Sequence, residues 1–124
     1  MWKLEVSISG LKNADGDIAL CLWRRDDEGF PYCGTGKPFK KVKAPAAAPK
    51  ASFDDLPSGE YAVSLFHDER KLGKPEFAPS GVPLSGVGLS NNPAPAPGSP
   101  ALFEQARVPV PETKAIEITV RYRQ

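Results

Sequence analysis

Along the first nine residues, apolar and polar side chains take strict turns. Trp2, Leu4, Val6 and Ile8 alternate with Lys3, Glu5, Ser7 and Ser9. A period of two sends successive side chains to opposite faces of a strand, so one face is buried and the other wet. Asp15-Gly16 follows, a dipeptide suited to the positive φ values of a tight hairpin turn. Asp17 to Arg24 then reads as the returning strand. Its centre, Ile18 to Trp23, is apolar at every position, which fits a strand covered on both faces. A loop from Arg25 to about Pro38 leads to a short strand near Lys40–Ala44. Ala44 to Pro49 reads as loop or sheet edge, because proline cannot donate to a ladder. Ala51-Ser52-Phe53 is another short strand and Asp54 to Gly59 a turn.

Glu60 to His67 is a strong strand, with Tyr61, Val63 and Leu65 on one side and Ala62, Ser64 and Phe66 on the other. Phe77 to Phe103 reads as one long loop, Arg107 to Val110 as a short strand, and Lys114 to Arg123 as the last strand. Ile116, Ile118, Val120 and Tyr122 form its inward face. No helical period of ten residues or more is present. The pattern predicts one all-β domain over residues 1–124. Its expected form is an antiparallel β-sandwich of about seven strands with long Pro/Gly-rich loops. The first and last strands, both long and alternating, are expected inside their sheets.

Composition narrows the function classes. Sixteen Lys+Arg against fifteen Asp+Glu leave a net charge of +1, which argues against a dedicated nucleic-acid surface. The longest uncharged stretch, Phe77 to Phe103, has Pro, Gly, Ser or Asn at 16 of 27 positions, so it is no transmembrane span. Met1 to Glu5 lacks the basic and apolar regions of a secretory signal, which suits either a cytosolic protein or a mature form with an added Met1. There is a single histidine, no Gly-x-Ser-x-Gly element, no phosphate-cradling loop and no helical metal-ligand pair. A non-catalytic protein is expected.

Several short motifs stand in a familiar order: Gly10-Leu11-Lys12-Asn13, Glu28-Gly29-Phe30-Pro31, Leu56-Pro57-Ser58-Gly59-Glu60-Tyr61, Phe66-His67-Asp68-Glu69 and Gly88-Leu89-Ser90-Asn91-Asn92. As an ordered set they resemble the DUF2141 family of small uncharacterised exported bacterial proteins. The Leu-Pro-x-Gly-x-Tyr element is also shared with transthyretin-like β-sandwich modules. The resemblance implies a seven-stranded sandwich, a Greek key of immunoglobulin or prealbumin type, and a periplasmic or secreted location, and it implies no activity. Relatives often follow His-Asp-Glu with an Asn- and Asp-rich loop resembling a calcium site. Arg70, Lys71, Leu72 and Lys74 occupy that loop here, and three cations repel a hard cation that wants six to eight oxygens. Calcium is therefore disfavoured, and no cofactor is expected.

The candidate ligand site comprises His67, Asp68, Glu69, Ser90, Asn91 and Asn92, with the loops Asp68–Glu76 and Gly86–Asn92 around it. His67 and Asp68 are the candidate metal ligands or acid/base pair. Their structural alternative is a core-capping imidazole and a turn-holding carboxylate. The asparagines have the same alternative as loop scaffolding. Cys21 and Cys33 are read as a disulfide, with two free thiols or a metal site left open. Phe30 reads as a loop anchor, or else as a pocket wall with Trp23 and Tyr32. The run Lys37, Lys40, Lys41 and Lys43 reads as a solvated sheet edge, and Pro93 to Pro100 as a stiffened loop or a polyproline ligand. The leading function is a small-ligand or protein binding module, monomeric or weakly dimeric. The alternatives are a structural accessory domain of a cell-envelope assembly and a metal-binding protein.

Overall fold

The computed structural model describes residues 1–80, 84–93 and 103–122. Its elements are β1 (Trp2–Ser9), β2 (Asp17–Arg24), β3 (Lys40–Pro45), β4 (Lys50–Leu56), β5 (Gly59–Asp68), β6 (Val87–Leu89), α1 (Phe103–Ala106), β7 (Val108–Val110) and β8 (Ala115–Thr119). They form a β-sandwich. One sheet has the order β4-β1-β8. The other runs β3-β2-β5, with β6 and β7 following one another along the far edge of β5. Residues 94–100 of the proline-rich stretch lie outside the described residues.

Three expectations are corrected. Asp15-Gly16 does turn, with Gly16 at φ +68°, but it closes no hairpin. β1 pairs with β4 and β8, whereas β2 pairs with β3 and β5. A strand apolar on both faces needs a sheet partner on each edge and a layer on each side; β3 and β5 are the edge partners, and β1 serves as part of one layer. The segment crosses between sheets instead, so Leu4, Val6 and Ile8 meet Ile18, Leu20 and Leu22 across the core. The last strand also departs from expectation. β8 lies at an edge, pairs parallel with β1 and stops at Thr119. Beyond it, Val120 N–H donates to Ser9 O (2.8 Å) and Arg121 bridges to Val87 of β6, so one continuous pattern serves both sheets. Finally, the expected Phe77–Phe103 loop contains β6.

Between the sheets lies the main core, with Leu4, Val6, Leu20, Leu22, Phe53, Val63 and Ile118 all but sealed from water. Each such side chain stabilises the fold by about 1.5–3 kcal/mol through removal from solvent. A second, smaller core covers the outer face of β2 and β5. Cys21, Trp23, Cys33, Ala62, Phe66 and Ala106 build it, and Trp23 donates its indole N–H to Ser64 Oγ (2.7 Å). The long loop after β2 is the lid of this core. Cys33 is bonded to Cys21, with their Cα atoms 5.6 Å apart, which resolves the cysteine alternatives in favour of the bridge. Phe30 packs edge-on against Trp23 (5.7 Å) and Phe103 (5.9 Å), whereas Tyr32 is exposed. Arg25, Glu60, Arg107 and Glu104 close a ring of alternating charges over α1 and β7. The Leu-Pro-x-Gly-x-Tyr element has a local purpose: Tyr61 Oη donates back to Pro57 O (2.7 Å), fixing the entry into β5.

Among the described residues, no helix is long and apolar enough to cross a membrane.

Candidate binding site

His67 continues the inward parity of β5 and is 1% exposed. Its Nε2 lies 2.7 Å from Asp15 O. A carbonyl only accepts, so Nε2 carries a proton and donates. Nδ1 lies 2.7 Å from Tyr122 Oη, which accepts from Lys12 N–H (3.1 Å). Burial raises the Tyr122 hydroxyl above its ordinary value, and the Lys12 N–H opposes it, so the phenol stays protonated. The imidazole thus ties the β1–β2 crossover and the C-terminal segment to the end of β5.

Asp68 points the other way, as alternation along a strand requires. Its carboxylate accepts from the N–H groups of Leu72 and Gly73, each at 2.8 Å. This holds the Arg70–Gly73 loop, where Lys71 and Gly73 both have positive φ. Glu69 accepts from Asn13 Nδ2 (2.6 Å) and lies 3.5 Å from Lys12 Nζ. The Asn13 hydrogen bond, aided by the Lys12 ammonium against partial burial, holds the Glu69 carboxyl below its ordinary value of 4.5. A carboxyl lowered in the folded state contributes stability that is fully present above the unfolded value and lost as pH falls through the folded one. Asn13→Ala is therefore expected to remove part of the stability lost on acidification. Urea unfolding of both proteins at about pH 3 and pH 7 checks this, with the variants converging at the acid end.

Ser90, Asn91 and Asn92 form a second joint. Ser90 is fully buried in the seam between β6 and β7. Its N–H donates to Val63 O (2.8 Å), its Oγ accepts from Val63 N–H (2.9 Å), and the same Oγ donates to Ala106 O (2.5 Å). The hydroxyl thus completes the ladder where both edge strands are missing. Asn91 Nδ2 donates to Arg107 O (2.9 Å). Asn92 mimics a strand on the open edge of β8: Nδ2 donates to Glu117 O (3.1 Å) and Oδ1 accepts from Thr119 N–H (2.8 Å). Ser90→Ala would strand a buried N–H and a buried C=O, and is expected to cost about 2 kcal/mol. Its urea midpoint should fall, and the Val63 amide should exchange faster.

These two groups do not converge. Register sets Gly86 beside His67 but Ser90 beside Val63, four residues back along β5, roughly 13 Å at the rise of a strand. The shared site expected from the sequence is therefore two separate joints, each with its polar atoms committed to the fold. Both ring nitrogens of His67 and both oxygens of Asp68 already have partners. Among the described residues, no three His, Cys, Asp or Glu side chains are grouped to hold a metal ion.

A different place offers open surface. On the outer face of the five-stranded sheet lies a shallow cleft of about 340 Å³. That volume is at the small end for ligand sites. Ala19, Phe66 and the Cys21–Cys33 bridge form an apolar floor. Gly34 and Gly73, from the two flanking loops, form one wall, and Lys41 and Lys43 of β3 form the other. The lysines reach this face by parity, since Val42 and Ala44 turn into the core. Parity also governs the backbone. Ala46 N–H donates to Gly16 O, so the even positions of β3 bond to β2 and the odd ones line its free edge. That edge carries Lys41, Lys43 and Pro45, a composition that deters pairing with another strand. Sequence reasoning placed the lysines at an edge and missed the cleft they border.

A family model described as an uncharacterized protein conserved in bacteria, DUF2141, matches residues 6–119. No curated protein and no solved structure matches the chain.

Proposed function

We propose that this chain, which belongs to the DUF2141 family, is an exported, non-catalytic binding module that takes a small ligand on the outer face of its five-stranded sheet. The cleft beside the Cys21–Cys33 bridge carries the reading. Its floor belongs to the central strands β2 and β5, one wall to strand β3 and the other to loops, an arrangement in which a scaffold presents a site. The disulfide accords with an oxidising compartment. The polar clusters that first suggest chemistry have their atoms engaged in the fold, which favours binding over catalysis.

Titration of the ¹⁵N-labelled protein with 1-decanol, a small uncharged amphiphile, tests the reading. Shifts should concentrate at Ala19, Cys21, Lys41, Lys43, Phe66 and Gly73, and Ala19→Phe, which fills the floor, should abolish them. Shifts scattered over the surface, or none, would overturn it.

A further inference from the structure

The charge around the cleft specifies its ligand more closely. Lys41 and Lys43 sit one pleat apart on the same face of β3, both exposed. Three other cations nearby have partners, whereas Lys71 and Lys74, on the Gly73 side of the cleft, have no ion pair or side-chain hydrogen bond among the described residues. Lys37 lies 3.7 Å from Glu28, Lys40 donates to Asp54 O, and Arg70 pairs with Glu76. Neither Lys41 nor Lys43 has an ion pair or side-chain hydrogen bond among the described residues. Their stems line the wall, and lysine stems commonly lie along apolar surface while the ammonium stays in water. Two acidic residues flank the cleft on this face, and a third, Glu60 farther along β5, is paired with Arg25 and Arg107. Asp68 is engaged by Leu72 and Gly73, and Asp17 lies one pleat beyond Ala19, toward the end of β2. The result is an apolar floor with two unneutralised positive charges at one lip.

Resting on the binding reading above, we infer that the cleft takes a small monoanion with an apolar tail, a carboxylic acid of medium chain length. The tail lies over Ala19, Phe66 and the disulfide, and the carboxylate meets Lys41 and Lys43. Two exposed lysine contacts together are worth about tenfold in affinity, and salt weakens them.

The experiment compares three probes with one tail and different heads, each below its micellar concentration: decanoate, 1-decanol and decyltrimethylammonium. Binding is followed by amide shifts on the intact disulfide-bonded protein. Decanoate is expected to bind about tenfold more tightly than decanol, and the cation more weakly still. In Lys41→Gln/Lys43→Gln, decanoate should bind no more tightly than decanol does to the same variant. If all three bind the cleft equally, the charge inference falls and the binding reading stands. If none shifts the cleft residues, both fall. Binding to phosphatidylglycerol vesicles without binding to free decanoate would make the lysines a membrane contact and overturn the inference. Gel-filtration elution and the urea midpoint of the double variant verify that it folds.

Discussion

Replacing both Cys21 and Cys33 with alanine is expected to destabilise the protein by about 3 kcal/mol. The bridge joins residues 12 positions apart and pins the loop that covers Trp23 and Phe66. In the chain-entropy account, most of the loss comes from freeing that loop in the unfolded state. For a domain of this size the melting temperature should fall by roughly 10 °C. Two features separate this cause from simple loss of contacts. The unfolded chain becomes more expanded, so the urea m-value should rise as the midpoint falls. Reducing agent should destabilise the parent protein by the same amount and leave the double variant unmoved. A loss below about 1 kcal/mol would mean that the small outer core holds the loop without the bridge.

His67→Ala is expected to cost about 3 kcal/mol, with no change at the cleft. The substitution opens a cavity at a fully buried site. It also strips the donor from Asp15 O and the imidazole partner from Tyr122 Oη in one step. The crossover that His67 secures lies directly on the end of β5: a Cβ on Gly16 would sit 2.1 Å from Asp68 O. Little room remains for that segment to shift and recover its bonds. Urea unfolding measures the loss, and decanol titration well below the melting temperature measures the site. Intact stability with lost binding would return His67 to the ligand site suggested by the sequence.

The strands were legible wherever the side-chain pattern itself carried the cause. β1 has its period of two, β5 has two apolar faces, and the uninterrupted apolar run of β2 required cover on both sides. β6 was hidden by its own packing. A Cβ on Gly86 would meet the Tyr122 ring at 2.4 Å, and one on Gly88 would meet Ile118 at 2.6 Å. Glycine is required there by close approach, yet in a sequence it resembles a loop. Sheet membership was equally hidden, because Asp15-Gly16 specifies a turn and says nothing of which strands the turn separates. For the candidate site, residue type misled. His67, Asp68, Ser90 and Asn92 look chemical, but each replaces a hydrogen bond that regular ladders cannot make at a crossover, a loop or a seam. The cleft floor consists of residues indistinguishable by type from core. Only the parity of Lys41 and Lys43 against Val42 and Ala44 pointed outward.

The double cover of β2 and β5 also divides the molecule in time. In deuterated water their amides are expected to keep their protons until the whole molecule opens, whereas the loops at residues 25–38 and 70–76 are expected to exchange through brief local excursions. The cleft has one side in each regime. Its floor belongs to the last unit to melt, one wall to the edge strand β3, and the other, at Gly73, to the first. A small guest can therefore enter by displacing the loop at Gly73 on the timescale of loop motion, while the sheet beneath it stays closed.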